Sequence, residues 1–355
     1  MLPPTAGAVV IGGGVMGAAA LHYLAELGCE RPVLVERDTL ASGSTGHCAG
    51  GVRTLFSDEL NAAVCRESIA RLERFADETG QELDLRLDGY LFLLDNDDDV
   101  ARFRADGAEI VAPAEALARV PQLDAGGLVG AAFDARAGTV TPDLVVQGYA
   151  RRAAERGAHV EQSCAATRIL AEGGRVAGVE TARGTIATER VVLAAGVWAR
   201  ELYELPVEAE RRFMFFTEDA PGFPARLPLT IDFSTGFYFH REGGGLAFGG
   251  REQSLEELAP VAARRLPALA DLGVRSSWWG FYELSPDHNA LVGAAPDPQG
   301  LVYATGFSGH GFQQGPVIGE HLARLALGLE TPFDLSAFDA ARFASGTVRA
   351  ERNVV

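Results

Sequence analysis

The chain has 355 residues, 47% of them hydrophobic and 22% charged, and a formal net charge of −17. That length exceeds one compact core and implies two globular domains, while the acidic balance excludes a nucleic acid or an anionic membrane surface as partner, because phosphate contacts need a basic face. No run of about 18 apolar residues is present, which excludes a helical membrane span, and residues 1–5 carry no basic leader, so a cytoplasmic protein is expected.

Residues 9–11, Val-Val-Ile, form an apolar run that ends in Gly12-Gly13-Gly14-Val15-Met16-Gly17. A helical pattern follows over 18–27, then a second apolar run, 33–35, ending at Glu36. The pattern is β-turn-α-β with an acid 19 residues after the last glycine. Gly12 permits the tight turn, Gly14 lets backbone approach a pyrophosphate, and Gly17 lets helix and strand pack closely. The helix N-terminus, at Val15 and Met16, presents partial positive charge to the phosphates. Glu36, with Arg37 beside it, can accept from both ribose hydroxyls and would repel a 2′-phosphate. FAD or NAD is therefore favoured over NADP, and this motif does not separate those two.

The small, polar run 41–53 follows, including Ser44, Thr45, His47, Gly50, Gly51 and Arg53. Backbone of this kind can wrap a flat cofactor. The spacing predicts one helix over 57–79, stopped by Gly80, a hairpin-like strand pair over 83–94, a solvated acidic turn at 96–99, a short helix within 105–123 and extended chain over 133–141. A second amphipathic helix is predicted over 143–157. Strand residues 158–160 and hairpins through Gly173-Gly174 and Gly184 read as a continuation of the first sheet. Residues 191–196 are an apolar strand ending in Ala-Ala-Gly, followed by Trp198. The stretch 208–250 is β-rich, 255–272 is helical with Pro260 near its start and Pro267 breaking it, and 278–283 is a further strand. The glycine-rich style returns at 301–312, and a last helix covers 316–327. Cys29, Cys48, Cys65 and Cys164 show neither CxxC nor metal-ligand spacing, so four reduced thiols and no metal are expected.

Five stretches carry a resemblance: Gly12 to Gly17 with Glu36, the 42–51 loop, 191–198, Ser285-Pro286-Asp287 with Val292-Gly293, and Gly306-Phe307-Ser308-Gly309-His310-Gly311-Phe312. In these the chain resembles the D-amino-acid-oxidase-like family of FAD-dependent amine and amino-acid oxidoreductases. The resemblance decides FAD over NAD. It implies an α/β architecture, a Rossmann-type FAD-binding domain (1–80, 141–205 and 285–345) with an interleaved α+β substrate domain (81–140 and 206–284) on an antiparallel or mixed sheet. By position, Ala166 would hold adenine through its backbone, and Gly196 with Trp198 would close the dinucleotide site. Gly309, His310, Gly311, Phe312 and Gln313 would approach the flavin pyrimidine.

The implied reaction is oxidation of the C–N bond of a secondary amine or an N-substituted or cyclic amino acid, by hydride transfer to flavin N5. Two departures stand out. Oxygen-using sarcosine oxidases keep a lysine beside the flavin where this chain has Ala247, so a dehydrogenase is favoured over an oxidase, and a second for the substrate carboxylate where it has Gln313, which argues against a simple sarcosine-like substrate. Gly280 occupies the place of their covalent cysteine. The sequence around His47 resembles the stretch through which some relatives hold FAD by a histidyl bond, although the residues after Gly51 resemble non-covalent relatives. A different class also follows from the resemblance: a flavoprotein subunit or assembly factor that needs an electron-acceptor protein or partner subunit.

Candidate catalytic and substrate-binding residues are Arg53 (or a surface ion pair), Arg241 and Arg251 on predicted strands as carboxylate forks (or solvated charges), and His310. Tyr238, Trp279 and Tyr282 could wall the pocket or fill core. His22, His159, His240, His288 and His321 read as structural or surface residues.

Overall fold

The computed structural model describes residues 2–346 and 348–354. Its centre is a six-stranded sheet in the order Leu291–Ala294, Leu301–Thr305, Val191–Leu193, Val9–Ile11, Val33–Val35, His159–Glu161. All pairings are parallel except that of the first two strands. Valine-rich runs of three suit such strands, because both faces are covered and alternation is not needed. Val10, Leu34, Val192 and Val302 pack on one face against the Val15–Glu26, Pro142–Glu155 and Gly315–Leu327 helices. Val9, Val33, Val191 and Leu301 pack on the other against Val176, Val179 and Ile186. Those last three belong to a separate antiparallel sheet, Ala166–Glu172, Arg175–Thr181 and Gly184–Ala187. The predicted hairpins are present, but they cover the central sheet and do not extend it.

A second, eight-stranded sheet runs Val274–Leu284, Glu208–Thr217, Gly245–Gly249, Tyr238–Glu242, Leu229–Asp232, Tyr90–Leu94, Gly130–Asp134, Glu109–Val111. It is antiparallel apart from the pairing of Leu229–Asp232 with Tyr90–Leu94. Phe215, Phe239, Phe248 and Leu93 pack under the Leu255–Arg265 helix. The opposite face presents Tyr90, Met214, Leu229, Ile231 and Tyr238 to a cavity between the sheets. Gly51–Val52 pairs with Gly138–Thr139 and so ties the 41–53 loop to the second sheet.

Several expectations differ locally. The predicted 57–79 helix breaks at Arg74 (φ −104°, ψ 12°) into Glu59–Glu73 and Phe75–Thr79, ending as expected at Gly80 with φ 70°. Only Tyr90–Leu94 of the 83–94 stretch is a strand, and it pairs with Gly130–Asp134 rather than with the preceding run. The acidic turn at 96–99 starts a helix, Asp97–Ala105. The Asn96 side chain caps it by accepting from Asp99 N at 2.8 Å, and three aspartates in the first turn complement the helix dipole. The 255–272 stretch is an α-helix only to Arg265, followed by a 3-10 turn at Pro267–Asp271. All four cysteines are free, and among the described residues no cluster of potential ligands could hold a metal.

Candidate functional site

The glycine turn opens at the end of the central strand Val9–Ile11. Gly12 has φ 110°, and a Cβ there would run into the Ala194 carbonyl. A Cβ on Gly14 would lie 3.0 Å from Thr45 Oγ1. Gly17 does not face the cavity. Its missing side chain lets the helix sit on the Gly12 carbonyl. Val15 N donates to Thr45 Oγ1 (3.1 Å), so the 41–53 loop is fastened across the helix start. Gly13 N and Asp38 N donate to the two oxygens of Glu36 at 2.7 and 2.8 Å. These fix the carboxylate at the cavity edge with lone pairs to spare. The exposed Arg37 guanidinium stacks 3.7 Å over the Trp198 ring.

From this turn a cavity of about 600 Å³ runs between the two sheets. The 41–53 loop forms one side. Ser44 Oγ donates to Phe281 O (2.8 Å), and His47 Nδ1 bonds Gly43 O (2.9 Å). Because a carbonyl only accepts, His47 Nδ1 is the donor in this bond and Nε2 takes no part in it. A Cβ on Gly280 would lie 2.9 Å from His47 Cβ, so the histidine packs directly against the Val274–Leu284 strand. Burial pushes the Cys48 thiol up to about 12, which keeps it protonated.

The 306–313 turn forms the far side. Gly306, Ser308 and Gly309 all have positive φ, at 70°, 49° and 89°. This curl leads through Phe312–Gln314 into the Gly315–Leu327 helix. Gly309 is held flat against the Tyr282 ring, where any side chain would collide. His310 lines the cavity with neither ring nitrogen hydrogen-bonded. Burial and then the nearby Arg53 charge lower its pKa to about 4, so the imidazole is neutral. Gln313 Oε1 accepts from Arg53 N at 2.6 Å, joining this turn to the 41–53 loop.

Arg53 is 5% exposed. Its guanidinium donates to the carbonyls of Leu55 and Asn353 and lies 3.9 Å over the Phe56 ring. Among the described residues no carboxylate stands within ion-pair distance of it. A buried guanidinium held only by neutral acceptors is poised for an anion.

Nearly all the sequence-nominated cofactor residues line this one cavity: Gly12, Gly14, Val15, Met16, Glu36, Arg37, Ser44, Thr45, His47, Gly50, Gly51, Ala166, Gly196, Trp198, Gly309, His310, Gly311, Phe312 and Gln313. Of the catalytic candidates, Arg53, His310 and Tyr238 are there, with Tyr282. Burial raises the Tyr238 and Tyr282 hydroxyls, which stay protonated.

Arg241 and Arg251 are not brought to the cavity. Arg241 donates to the carbonyls of Ala220, Phe223, Gly244 and Gly245, clamping a surface loop. Arg251 is exposed beside Gly236. Trp279 faces outward, 43% exposed, with Arg211 over its ring. Ala247 is buried among Met214 and Phe216, behind the cavity wall.

Other lining residues escaped the sequence reading, among them Arg212, Tyr90 and Glu283. Arg212 pairs with Glu210 and faces Tyr282; its alternation with Met214 was the available signal. Tyr90 sets its hydroxyl against Gly51. Glu283 accepts from Thr305 Oγ1 and Gly306 N, both at 3.1 Å, and burial raises its pKa. The donor set fits FAD: a side-chain-free cradle at Gly12 and Gly14, an oriented acid at Glu36, and an unpartnered imidazole with a helix start at the far end.

Known proteins agree with this geometry. The family described as FAD dependent oxidoreductase (DAO) matches residues 8–325. The mitochondrial sarcosine dehydrogenase of Homo sapiens is 30% identical over 96% of this chain, which spans only 42% of that protein. Sarcosine oxidase subunit beta of Rhizobium meliloti (strain 1021) is 27% identical, over 97% of this chain and 90% of its own. The crystal structure of L-proline dehydrogenase from P.horikoshii superposes with TM-score 0.91 at 29% identity, covering 98% of this chain and all of that one.

Proposed function

The chain belongs to the FAD-dependent oxidoreductase (DAO) family, and on that premise we propose that it oxidises the C–N bond of a secondary amine or of an N-substituted or cyclic amino acid. FAD held in the cavity would supply the two-electron acceptor for that oxidation. The chain's own residues do the rest. Gly12, Gly14 and the start of the Val15–Glu26 helix would hold the pyrophosphate, and Glu36 would take the ribose hydroxyls. The 306–313 turn offers backbone N–H groups and a helix start where negative charge gathers. Arg53 holds the substrate carboxylate, exchanging its neutral carbonyl partners for a charged one. Tyr238 and Tyr282 wall the chamber with protonated hydroxyls, and neutral His310 adds no competing positive charge. An amine bound unprotonated needs no protein base, and the imine product hydrolyses in water.

The observation that carries this reading is the buried Arg53, ion-paired with no carboxylate among the described residues, in the same cavity as the glycine turn. The decisive experiment is anaerobic titration of the FAD-loaded chain with a panel of carboxylated secondary amines. Bleaching of the flavin by one of them supports the proposal, and flavin left oxidised by all of them overturns it.

The sequence contains no lysine, its 31 basic residues all being arginine. Turnover with an artificial dye should therefore exceed turnover with air, and equal rates would refute dehydrogenase character.

A second reading, a subunit that passes electrons to a partner, is favoured by the edge strand Val274–Leu284. Trp278 and Trp279 there are 38% and 43% exposed beside the cavity mouth.

A further inference from the structure

Residues 349–354 have no place in either sheet, and Arg349, Ala350 and Arg352 are exposed, yet alternate residues are fixed in the interior. Glu351 is 1% exposed and Asn353 fully buried. The Glu351 carboxylate accepts from Ser57 N and Ser57 Oγ at 2.8 Å, from Asp58 N at 3.0 Å and from Asn61 Nδ2 at 3.1 Å. It also accepts from Asn353 N at 2.9 Å, which curls its own segment around it. Ser57 and Asp58 lead into the Glu59–Glu73 helix, so a distant carboxylate takes up donors at that helix start. The backbone is pinned as well: Glu351 N donates to Asp287 O (3.1 Å) and Arg352 N to Ser57 Oγ (2.8 Å).

The segment then enters the substrate end of the cavity. The Asn353 carbonyl accepts from Arg53 Nη2 at 2.7 Å, and Val354 lines the chamber. The other holds are scattered single contacts, among them Asn289 Nδ2 to Arg349 O, Asn353 Nδ2 to Asp106 Oδ2 (3.1 Å) and the Arg349–Asp58 ion pair (3.4 Å), so the five bonds that converge on Glu351 are the largest set that a single substitution removes.

We propose that residues 349–354 form a latched wall of the substrate chamber, with Glu351 as the latch and Val354 as the surface that limits substrate bulk. The Asn353 carbonyl is the neutral stand-in on Arg53 that an incoming carboxylate displaces. This rests on the reading of Arg53 as a carboxylate site. Glu351 acts through the segment and touches no substrate, so it is a positioning residue.

The test is calorimetric titration of the purified full chain with acetate, benzoate and indole-3-acetate, which needs no turnover. The wild-type protein should prefer acetate. Glu351→Ala should narrow that preference about tenfold, as expected when a steric limit in a small apolar pocket is relaxed. Limited proteolysis should then cut within 346–354 while sparing the rest. Val354→Trp, a change at a half-buried position that leaves the latch intact, should widen the preference for acetate. An unchanged preference in Glu351→Ala despite a cleavable segment overturns the proposal. If Glu351→Ala does not fold, Val354→Trp decides alone, and a wild-type preference in it overturns the proposal. If no amine is ever oxidised while these carboxylate preferences shift as stated, the redox reading fails and the latched wall stands.

Discussion

Replacing Arg53 by methionine keeps the stem over Phe56 and removes only the guanidinium. In the resting protein its donors face two carbonyls, those of Leu55 and Asn353. A neutral hydrogen bond of this kind contributes about 1 kcal/mol net, whereas one to a charged acceptor contributes about 1.5–3 kcal/mol. Exchange of both carbonyls for the two oxygens of one carboxylate therefore stabilises the complex by about 1–4 kcal/mol. At about 1.4 kcal/mol per decade, Arg53→Met should lower kcat/KM for a carboxylated amine roughly 5- to 700-fold. The matching amine without a carboxylate never used that exchange and should change less than about threefold. The assay compares the two substrates by single-turnover flavin reduction in both proteins. Equal losses for both would refute a specific carboxylate contact, and a loss under threefold for the carboxylated amine would remove Arg53 from recognition altogether. The variant should also melt lower, because two buried carbonyls lose their donor at about 1–3 kcal/mol each.

Gly14→Val should give a folded, colourless protein, since its added atoms occupy the space in front of the helix start; stoichiometric yellow flavin in the variant would contradict the cradle. Burial holds His22, His240, His310 and His321 each down to about 4. Their unfolded values lie near 6.5, so between pH 6.5 and 4 the unfolded chain binds more protons and stability falls as pH falls, by up to ~1.4 kcal/mol per unit for each histidine. Glu78, Glu242 and Glu283, whose pKa values are raised, work in the opposite direction above their unfolded value of 4.5. The four histidines outnumber these three carboxylates, so melting temperature should drop from pH 6.5 to 4.5, and a rising profile would refute their neutral burial. For His47, acid precipitation should release the flavin to the supernatant; colour retained in the pellet, and lost in His47→Ala, would instead establish a covalent bond to Nε2.

The first β-turn-α-β unit was legible because local chemistry determines it: three glycines, a helix start and an acid lie within 25 residues of one another. The 41–53 and 306–313 runs were legible for the same reason. Strand-borne side chains were not. Arg212 and Arg241 both sit on predicted strands, and period-two alternation says only that neighbours face opposite ways. Which face meets the cavity depends on how the second sheet leans on the first. The sequence also gave no hint that 96–99 begins a helix until Asn96 was seen as its cap, because a run of acids reads as solvated turn. Glu351 and Asn353 were unreadable because their partners, Ser57 and Arg53, lie some 300 positions away.

The contact between the Val15–Glu26 and Gly315–Leu327 helices has a mechanical consequence. They meet through glycine: a methyl on Gly315 would lie 2.5 Å from Val15 Cγ2, and one on Gly319 would lie 2.9 Å from Ala20 N. No layer of long side chains separates them, so neither helix can slide or repack against the other by changing rotamers. Each begins at the cavity, one at the glycine turn and the other just after Gln313. The two helix starts are therefore held at a fixed separation, like the jaws of a calliper whose hinge is locked. A flavin and its phosphate chain laid between them would have to match that separation, a demand FMN and FAD meet alike, so any preference for FAD would rest on the adenosine side of the cavity, at Glu36 and Ala166.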